Sequence, residues 1–170
     1  LISWDDKIAI LIIATDITER KQLEDEARKR TKELQAFFSL AEITERKGIT
    51  LEQLYQAFTN ILPQSWQYPE IACARIVIGD SEFRTKNYAE SAWKLSAPIK
   101  VDEPIIGMIE VGYLEEKPNE NEGPFLKEER RLIDALAAQL GRITQRMWAA
   151  EEVRHHSIHD GLTGLYNYGF

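Results

Sequence analysis

The sequence predicts an α+β fold, in which an antiparallel sheet of about four or more strands is flanked by helices. Near both ends of the chain, apolar residues recur at alternating three- and four-residue steps, which is the spacing of one helix face. Between these segments the spacing changes to two, as in strands, and turn signals separate the alternating runs. With 170 residues, of which 44% are hydrophobic, the chain is long enough for one compact core with extensions.

The N-terminal residues predict a strand followed by a long helix. Residues 7–15 are apolar on both faces, as in a covered strand. Asp16 or Thr18 can cap the following helix by accepting backbone N–H groups. Residues 19–47 are charged, with apolar side chains at the steps of a coiled-coil seam: Leu23, Ala27, Leu34, Phe37 and Ala41. This helix should end just before Gly48, which can adopt the left-handed conformation that closes helices.

A second, shorter helix is predicted directly after Gly48. Thr50 and Gln53 form a capping box, in which each side chain bonds the backbone N–H of the other residue. One face of the helix is apolar and consists of Leu51, Leu54, Phe58, Ile61 and Leu62. Pro63 should end the helix, because proline lacks the N–H group that a further turn requires.

The middle of the chain predicts a hairpin followed by two further strands. Residues 71–78 alternate with period two, Gly79 begins a turn signal, and residues 82–88 are the expected partner strand. Residues 93–101 alternate most regularly, which predicts a strand with one buried and one wet face. A short turn then leads into the last predicted strand, residues 105–114.

Proline and glycine predict irregularities in the last two strands. Pro98 cannot donate to a ladder, which favours an edge strand or a local irregularity. Gly107 and Gly112 favour a bulge or a bend in the strand that contains them. The acidic residues 115–123 that follow are expected to form a solvated loop.

A long helix is predicted from Pro124, a residue type favoured at helix starts, to about residue 157. Its apolar side chains repeat the coiled-coil spacing: Ile133, Leu136, Leu140, Ile143, Met147 and Ala150. The first and last helices are therefore expected to pair across a parallel homodimer. We expect the dimer seam to consist of Leu34, Phe37, Ala41, Leu136, Leu140, Ile143 and Met147.

Two segments resemble the sensor domains of signalling proteins. The stretch "ATDITERK" resembles the C-terminal edge of a PAS domain, with Asp16, Ile17 and Thr18 in its typical exit motif. Residues 51–141 resemble a GAF domain, since a helix and an antiparallel sheet precede "FLKEERRLIDALAAQLG", which is similar to the closing GAF helix. The stretch "LPQSWQYPEIACARI" resembles a short GAF-like module of bacterial and archaeal signalling proteins.

The last residues, "HDGLTGLYNYGF", resemble the start of a GGDEF diguanylate cyclase domain. That family opens with Asp, any residue, Leu-Thr-Gly-Leu, any residue and Asn-Arg. The residues that match this motif are Asp160, Leu162, Thr163, Gly164, Leu165 and Asn167. Tyr168 departs from the arginine that is typical at its position. The metal-binding aspartates and the GGDEF loop of the family would follow Phe170, so no catalytic residue is carried over.

The resemblances imply five segments in the chain. They are the end of a PAS domain (1–18), a coiled-coil signalling helix (19–47), a GAF-like helix and antiparallel sheet (48–124), a closing GAF helix with a coiled-coil stalk (125–157) and the start of a GGDEF domain (158–170). The chain is accordingly expected to be a fragment that opens within a strand and stops at the start of a new domain.

The function implied by these resemblances is regulation by a sensor or relay segment. A diguanylate cyclase converts GTP to cyclic di-GMP and must bring two GTP-loaded sites together, so control of dimer geometry is a sufficient mechanism. The motif around Asp160 and Thr163 is then expected to be a signal-coupling joint between stalk and output domain. Two alternatives stay open: a GAF domain that senses a small molecule, and a protein-interaction scaffold with an inactive cyclase domain.

The residues themselves carry little catalytic chemistry. The sequence has no Gly-rich phosphate loop, nucleophile elbow or convincing acid–base pair, so the fragment is predicted to be no enzyme and to need no cofactor. His155, His156 and His159 suggest a metal site, but no cysteine accompanies them and a solvated linker is favoured. Cys73 resembles the bilin-bearing cysteine of some phytochrome-like GAF domains. Because Ala74 stands where a histidine usually follows, a buried structural thiol is favoured.

A small-molecule pocket is the other candidate site. Trp66, Tyr68 and Trp93 can line an apolar pocket, with Glu70 or Arg75 as its polar groups. Core packing is the favoured interpretation of the same aromatic residues. The segment between the second and third sheet strands is too short for the helices that roof the pocket in many GAF domains, so a small or absent pocket is expected.

Charge and composition limit the possible partners. The 21 basic and 28 acidic residues give a net charge of −7, which argues against contact with nucleic acid or an anionic membrane. The longest apolar run, residues 8–14, is far shorter than the roughly 20 residues of a membrane span, and no signal peptide precedes it. A single cysteine excludes an internal disulfide. We therefore expect a cytoplasmic segment whose partners are proteins or small molecules.

Overall fold

The structure is a computed structural model of the chain, and it describes residues 2–4, 7–9 and 18–158. The chain divides into two compact units, residues 1–31 and residues 32–170. The segment that resembles a GGDEF domain and the second half of the first predicted strand lie outside the described residues.

The N-terminal elements are a small hairpin and a long helix. Strand β1 (Ile2–Trp4) pairs antiparallel with strand β2 (Lys7–Ala9). Helix α1 (Thr18–Thr44) includes Thr18, one of the two residues predicted to cap it, and ends slightly earlier than predicted, in a turn that leads to Gly48. Gly48 has φ +73°, so the left-handed conformation predicted for this position is confirmed.

Helix α2 (Leu51–Ile61) begins with the predicted capping box. The Thr50 hydroxyl accepts from the Gln53 N–H at 3.2 Å, and the Gln53 side-chain oxygen accepts from the Thr50 N–H at 3.2 Å. A 3-10 turn, Leu62–Ser65, follows directly and contains Pro63, so the predicted end of the helix is also confirmed. The buried face of α2 packs on the sheet.

Residues 72–113 contain one antiparallel sheet. Its strands are β3 (Ala72–Ile78), β4 (Ser81–Arg84), β5 (Trp93–Lys100) and β6 (Ile105–Tyr113), in the spatial order β4-β3-β6-β5. Strands β3 and β4 form the predicted hairpin, with Gly79 at φ +54° in the turn. The predicted α+β fold with an antiparallel sheet is thereby confirmed.

Pro98 and Gly107 mark an edge strand and an irregularity as predicted, whereas the register stays regular at Gly112. Strand β5, which contains Pro98, lies at the edge of the sheet, and its register with β6 shifts between Ile99 and Lys100. Gly107 of β6 lies beside this shift. A Cβ atom there would be 2.0 Å from the Val77 carbonyl oxygen, so only glycine allows β6 to approach β3 this closely.

Helix α3 (Lys127–Ile158) is the long helix predicted at the end of the chain. Its first turn is capped by Glu129, whose carboxylate accepts from the Leu126 N–H at 2.8 Å. One face is buried against the sheet through Leu132, Ile133, Leu136, Ala137, Leu140 and Ile143. From Trp148 to Val153 every residue is exposed, so this part of the helix projects beyond the core.

A single hydrophobic cluster joins the helices to one face of the sheet. The strands contribute alternate residues: Ala72, Ala74, Ile76, Leu95, Ala97, Ile99, Ile109, Val111 and Tyr113. The intervening residues, such as Arg75 and Glu110, point to the opposite face. Residues 32–147 therefore form two layers, with helices on one side of the sheet and polar side chains on the other.

Candidate functional site

The predicted dimer seam on α3 belongs to the core of a single chain. Leu136 and Leu140 are fully buried and Ile143 is 2% exposed, and all three pack α3 on the sheet. The structure corrects this part of the predicted seam. The alternation of three- and four-residue steps describes any one-sided helix, whether its partner is the chain's own sheet or a second helix. Met147 is half-buried at the edge of the same cluster.

The seam predicted on α1 is exposed in part. Leu34 is 70% exposed and Ala41 is exposed, whereas Phe37 is half-buried against the core. Phe38, which sequence reasoning did not select, is 64% exposed. Leu34, Phe38 and Ala41 follow the steps of one helix face. We call these three residues the α1 stripe. The opposite face of α1 is buried in the core through Ala36, Leu40 and Ile43.

A second exposed apolar surface lies on the end of α3. The α3 extension, residues 148–158, carries Trp148 and Val153, which are 44% and 70% exposed. Ala149 and Ala150 are exposed on the same segment. Ala149 and Val153 are four residues apart and share a helix face, so this face of the extension is a candidate surface for a partner helix.

Lys32 of α1 and the first turn of α3 lie at the same end of the domain. Lys32 Nζ donates to the Trp66 carbonyl oxygen at 2.7 Å, and the next backbone N–H, that of Gln67, donates to Glu129 in the first turn of α3 at 2.7 Å. The buried face of α3 continues to Thr144. Since a helix rises about 1.5 Å per residue, α3 leaves the core roughly 20 Å from Glu129. The α3 extension therefore starts at the end of the domain opposite to Lys32.

The Glu129 carboxylate accepts hydrogen bonds from three parts of the domain. Its carboxylate is 5% exposed and accepts from Gln67 N at 2.7 Å, Tyr113 Oη at 2.9 Å and Leu126 N at 2.8 Å. These bonds offset the cost of removing a carboxylate from water. Sequence reasoning missed this residue, although its position in the first turn of α3 is typical of capping glutamates.

The hydroxyl group of Tyr113 is buried and donates its hydrogen bond to Glu129. Burial raises the pKa of its hydroxyl well above the ordinary value, and the negative charge of Glu129 raises that pKa further. The Tyr113 ring stacks on Phe125 with centroids 4.6 Å apart and meets the Tyr68 ring edge-on. The hydroxyl is therefore fixed by packing as well as by its hydrogen bond.

We expect the free energy of unfolding to fall as the pH rises above about 10, the ordinary pKa of tyrosine. Because the folded-state pKa of Tyr113 is raised, its contribution is complete below that pH and is lost as the pH approaches the folded-state value. Tyr113 is expected to lower the free energy of unfolding by on the order of 1 kcal/mol per pH unit in this range. Denaturant unfolding between about pH 8 and pH 11 should show a weaker pH dependence for Tyr113→Phe than for wild type.

The control for this prediction is Tyr68→Phe, which removes a hydroxyl from a half-buried ring that packs against Tyr113. This variant should retain the Tyr113 contribution to the pH dependence. An equal pH dependence in wild type and Tyr113→Phe would contradict the assignment.

The outer face of the sheet carries a balanced ionic network. Arg75 Nη2 lies 3.1 Å from Glu110 Oε1, and Lys94 Nζ lies 3.2 Å from Glu110 Oε2. The Tyr88 hydroxyl donates to Glu110 at 3.1 Å. The charged members are Arg75, Arg84, Lys94, Glu82, Glu90 and Glu110. Cations and carboxylates balance, so the network offers no surplus charge to a ligand.

This network fixes the segment after β4 on the outer face. Strand β4 ends at Arg84 rather than at the predicted Tyr88, because the Thr85 hydroxyl accepts from the Ala74 N–H at 3.1 Å and the chain then turns over the sheet. Burial raises the pKa of Tyr88, and the Glu110 charge raises it further. The pairing of Glu110 with Arg75 depends on strand register, which local sequence does not specify.

Cys73 lies beneath this segment and is not a reactive thiol. It is 1% exposed, and its Sγ donates to the Ala89 carbonyl oxygen at 3.7 Å. Burial raises the pKa of the thiol, which keeps it protonated and poorly nucleophilic at neutral pH.

The aromatic residues proposed for a pocket take part in packing, as the alternative interpretation of these residues expects. Trp66 is fully buried in the core, Tyr68 packs on Tyr113, and Trp93 is half-buried on β5. Arg75 belongs to the ionic network, and Glu70 is exposed. A groove of about 170 Å³ lies between β5 and α3 and is lined by Ala97, Pro98, Lys100, Asp134 and Ala138. Ligand pockets usually measure about 300–1,000 Å³, so this groove is small for a metabolite.

The predicted coupling residues lie outside the described residues; they are Asp160, Leu162, Thr163, Gly164, Leu165 and Asn167. Within the described part of the chain, no group of three or more His, Cys, Asp or Glu residues is placed to bind a metal ion. The helices that the structure describes include none with the length and apolar character needed to cross a membrane. A comparison with protein-family models finds no match, and neither does a comparison with curated proteins.

Proposed function

We propose that this chain is a regulatory relay segment that forms a homodimer through its helices and controls the dimer geometry of a C-terminal diguanylate cyclase domain. The observation that carries the proposal is the α1 stripe. Leu34 and Phe38 are 70% and 64% exposed on a helix whose other face is buried in the core. A helix with two apolar faces is suited to contact its own domain and a partner at the same time.

A second copy of the chain is the partner that fits this stripe best. In a parallel dimer with two-fold symmetry, each residue of the stripe meets the stripe of the other copy, so a continuous apolar face is complementary to itself. Full burial of a Leu or Phe side chain contributes about 1.5–3 kcal/mol, and the symmetric contact counts each residue twice. On the α3 extension, Ala149 and Val153 share a helix face and offer a smaller second contact.

The output assignment rests on the sequence that follows α3. Residues 158–170 resemble the start of a GGDEF domain, and the α3 extension leads directly into them. A diguanylate cyclase needs two GTP-loaded domains face to face, so a change in the spacing or rotation of the paired α3 extensions would change its rate. Under this proposal the fragment itself has no catalytic role.

The ligand-sensor alternative has less support. A sensor binds its ligand more tightly in one conformation than in another, which requires a site of suitable size. The groove between β5 and α3 is small, and the outer face of the sheet is covered by the segment that Tyr88 and Glu110 hold in place. A relay that responds to a shift of α1 needs no ligand site.

We expect the wild-type chain to sediment as a dimer in the micromolar range and Phe38→Glu to weaken the dimer at least about tenfold. The substitution removes an apolar contact and places two carboxylates across the symmetry axis. Gln35→Glu, at an exposed position on the same helix but off the stripe, is the matched control and should leave the dimer intact. A monomeric wild-type chain, or equal dissociation constants for the two variants, would refute the proposal.

A further inference from the structure

One peptide group lies between a cation of α1 and a carboxylate of α3. The Trp66 carbonyl oxygen accepts from Lys32 Nζ at 2.7 Å. The N–H of Gln67, on the other side of the same peptide bond, donates to Glu129 Oε1 at 2.7 Å. Both contacts are at least partly buried, and Trp66 itself is fully buried in the core.

The two contacts strengthen each other. A peptide group is planar, with its negative end at the carbonyl oxygen and its positive end at the N–H. An ammonium group at the oxygen and a carboxylate at the N–H both favour the same polarisation of the group. Hydrogen bonds in such a chain polarise one another, and charged partners make each bond roughly twice as strong as a neutral bond.

The contacts connect the middle of α1 with the first turn of α3. Lys32 is the first residue of α1 within the C-terminal unit. Glu129 lies in the first turn of α3, where its second oxygen caps the Leu126 N–H. Tyr113 Oη, at the end of β6, donates to the same carboxylate and fixes its position relative to the sheet. A shift of Lys32 therefore changes the bond that orients the first turn of α3.

We propose that Lys32, the Trp66–Gln67 peptide and Glu129 form a coupling joint that passes a displacement of α1 to α3. The inference rests on the proposed relay function and identifies the route by which the signal crosses the domain. Lys32 and Glu129 are positioning residues. When Lys32 moves away, the Gln67 N–H becomes a weaker donor and the first turn of α3 loses part of its support. The coupling is reciprocal, so a change at Glu129 alters the hold on Lys32 by the same free energy.

A double-mutant cycle in the full chain tests the joint. Lys32→Met keeps most of the side-chain length without the charge, and Glu129→Gln keeps the shape of the carboxylate without its charge. If the two contacts stabilise residues 66–67 independently, the effects of the two substitutions on the unfolding equilibrium constant multiply. A coupling joint predicts a departure from this product of at least about twofold. If the double variant changes the unfolding equilibrium constant by the product of the two single effects, within experimental error, the proposed joint is wrong.

Hydrogen exchange supplies a second measurement that needs only Lys32→Met. The Gln67 amide, which Lys32 does not bond directly, should exchange about fivefold faster in this variant. Lys47→Met, at an exposed position after α1, is the matched control and should leave that amide unchanged. An unchanged Gln67 exchange rate in Lys32→Met would also overturn the joint.

The dimer measurement separates this inference from the proposed function. A wild-type dimer whose cycle shows no coupling would overturn the joint alone. A wild-type monomer whose cycle shows coupling would overturn the relay function and leave the joint as a linkage within one chain.

Discussion

Leu140→Glu is expected to unfold the C-terminal unit rather than merely weaken a dimer. Leu140 is 0% exposed and lies on the face of α3 that packs on the sheet. Removal of a buried leucine side chain costs about 2–5 kcal/mol, and burial of an unpaired carboxylate adds a further penalty. Domains of this size are stable by about 5–15 kcal/mol, so the combined loss is comparable to the whole stability. Circular dichroism should show loss of helix and strand signal at room temperature.

The matched control is Leu34→Glu, the same substitution on an exposed leucine of α1. This variant should keep the folded spectrum and a cooperative thermal transition, because an exposed position has little core packing to lose. A folded and cooperatively melting Leu140→Glu protein would show that this face of α3 is not core. The pair of variants therefore compares the same substitution at a buried leucine of α3 and at an exposed leucine of α1.

The elements of the fold could be predicted where their signals are local. The capping box of Thr50 and Gln53 and the left-handed turn at Gly48 depend on a few neighbouring residues, and both are confirmed. The strands were recognisable because β5 alternates buried and exposed side chains along its length. Strand β4 was predicted too long, since its end depends on a contact between Thr85 and a distant residue of β3.

The partner of each helix face could not be predicted from the spacing alone. Phe37 and Phe38 are adjacent aromatic residues, and either one fits an alternation of three- and four-residue steps. The structure turns Phe37 towards the core and Phe38 towards solvent, because Ala36, Leu40 and Ile43 fix the rotation of α1 on the domain. The phase of a helix is set by tertiary packing, which sequence periodicity describes only to within about one residue.

The buried polar groups were missed for a related reason. Glu129 and Lys32 look like ordinary charged residues of solvated helices in the sequence. Their roles arise because residues 66–67 lie between α1 and α3, an arrangement that no local pattern describes. The link from Lys32 through the Trp66–Gln67 peptide to Glu129 could therefore be found only after the fold was known. Two residues of the α1 stripe, Leu34 and Ala41, are predicted as interface residues from the sequence.

Gly141 of α3 lies directly against the backbone at the end of β5. A Cβ atom at this position would lie 1.9 Å from the carbonyl oxygen of Lys100 and 3.0 Å from its carbonyl carbon. Both are backbone atoms at the end of β5, so they cannot rotate away as a flexible side chain would. One turn further along the helix, Gln145 Nε2 donates to Asp102 Oδ1 at 2.7 Å and holds α3 to the β5–β6 turn.

Gly141→Ala is therefore expected to destabilise the protein, although alanine is the better helix former. The substitution gains about 1 kcal/mol of helix propensity, whereas separation of the helix from β5 costs the packing of neighbouring core residues, typically about 1–3 kcal/mol or more for an overpacked site. Because the clash is with backbone, we expect the cost to exceed the gain and the melting temperature to fall by several degrees. Ala138→Gly, at an exposed position of the same helix, measures the propensity contribution separately. A melting temperature that rises in Gly141→Ala by as much as it falls in Ala138→Gly would show that α3 does not approach β5 this closely.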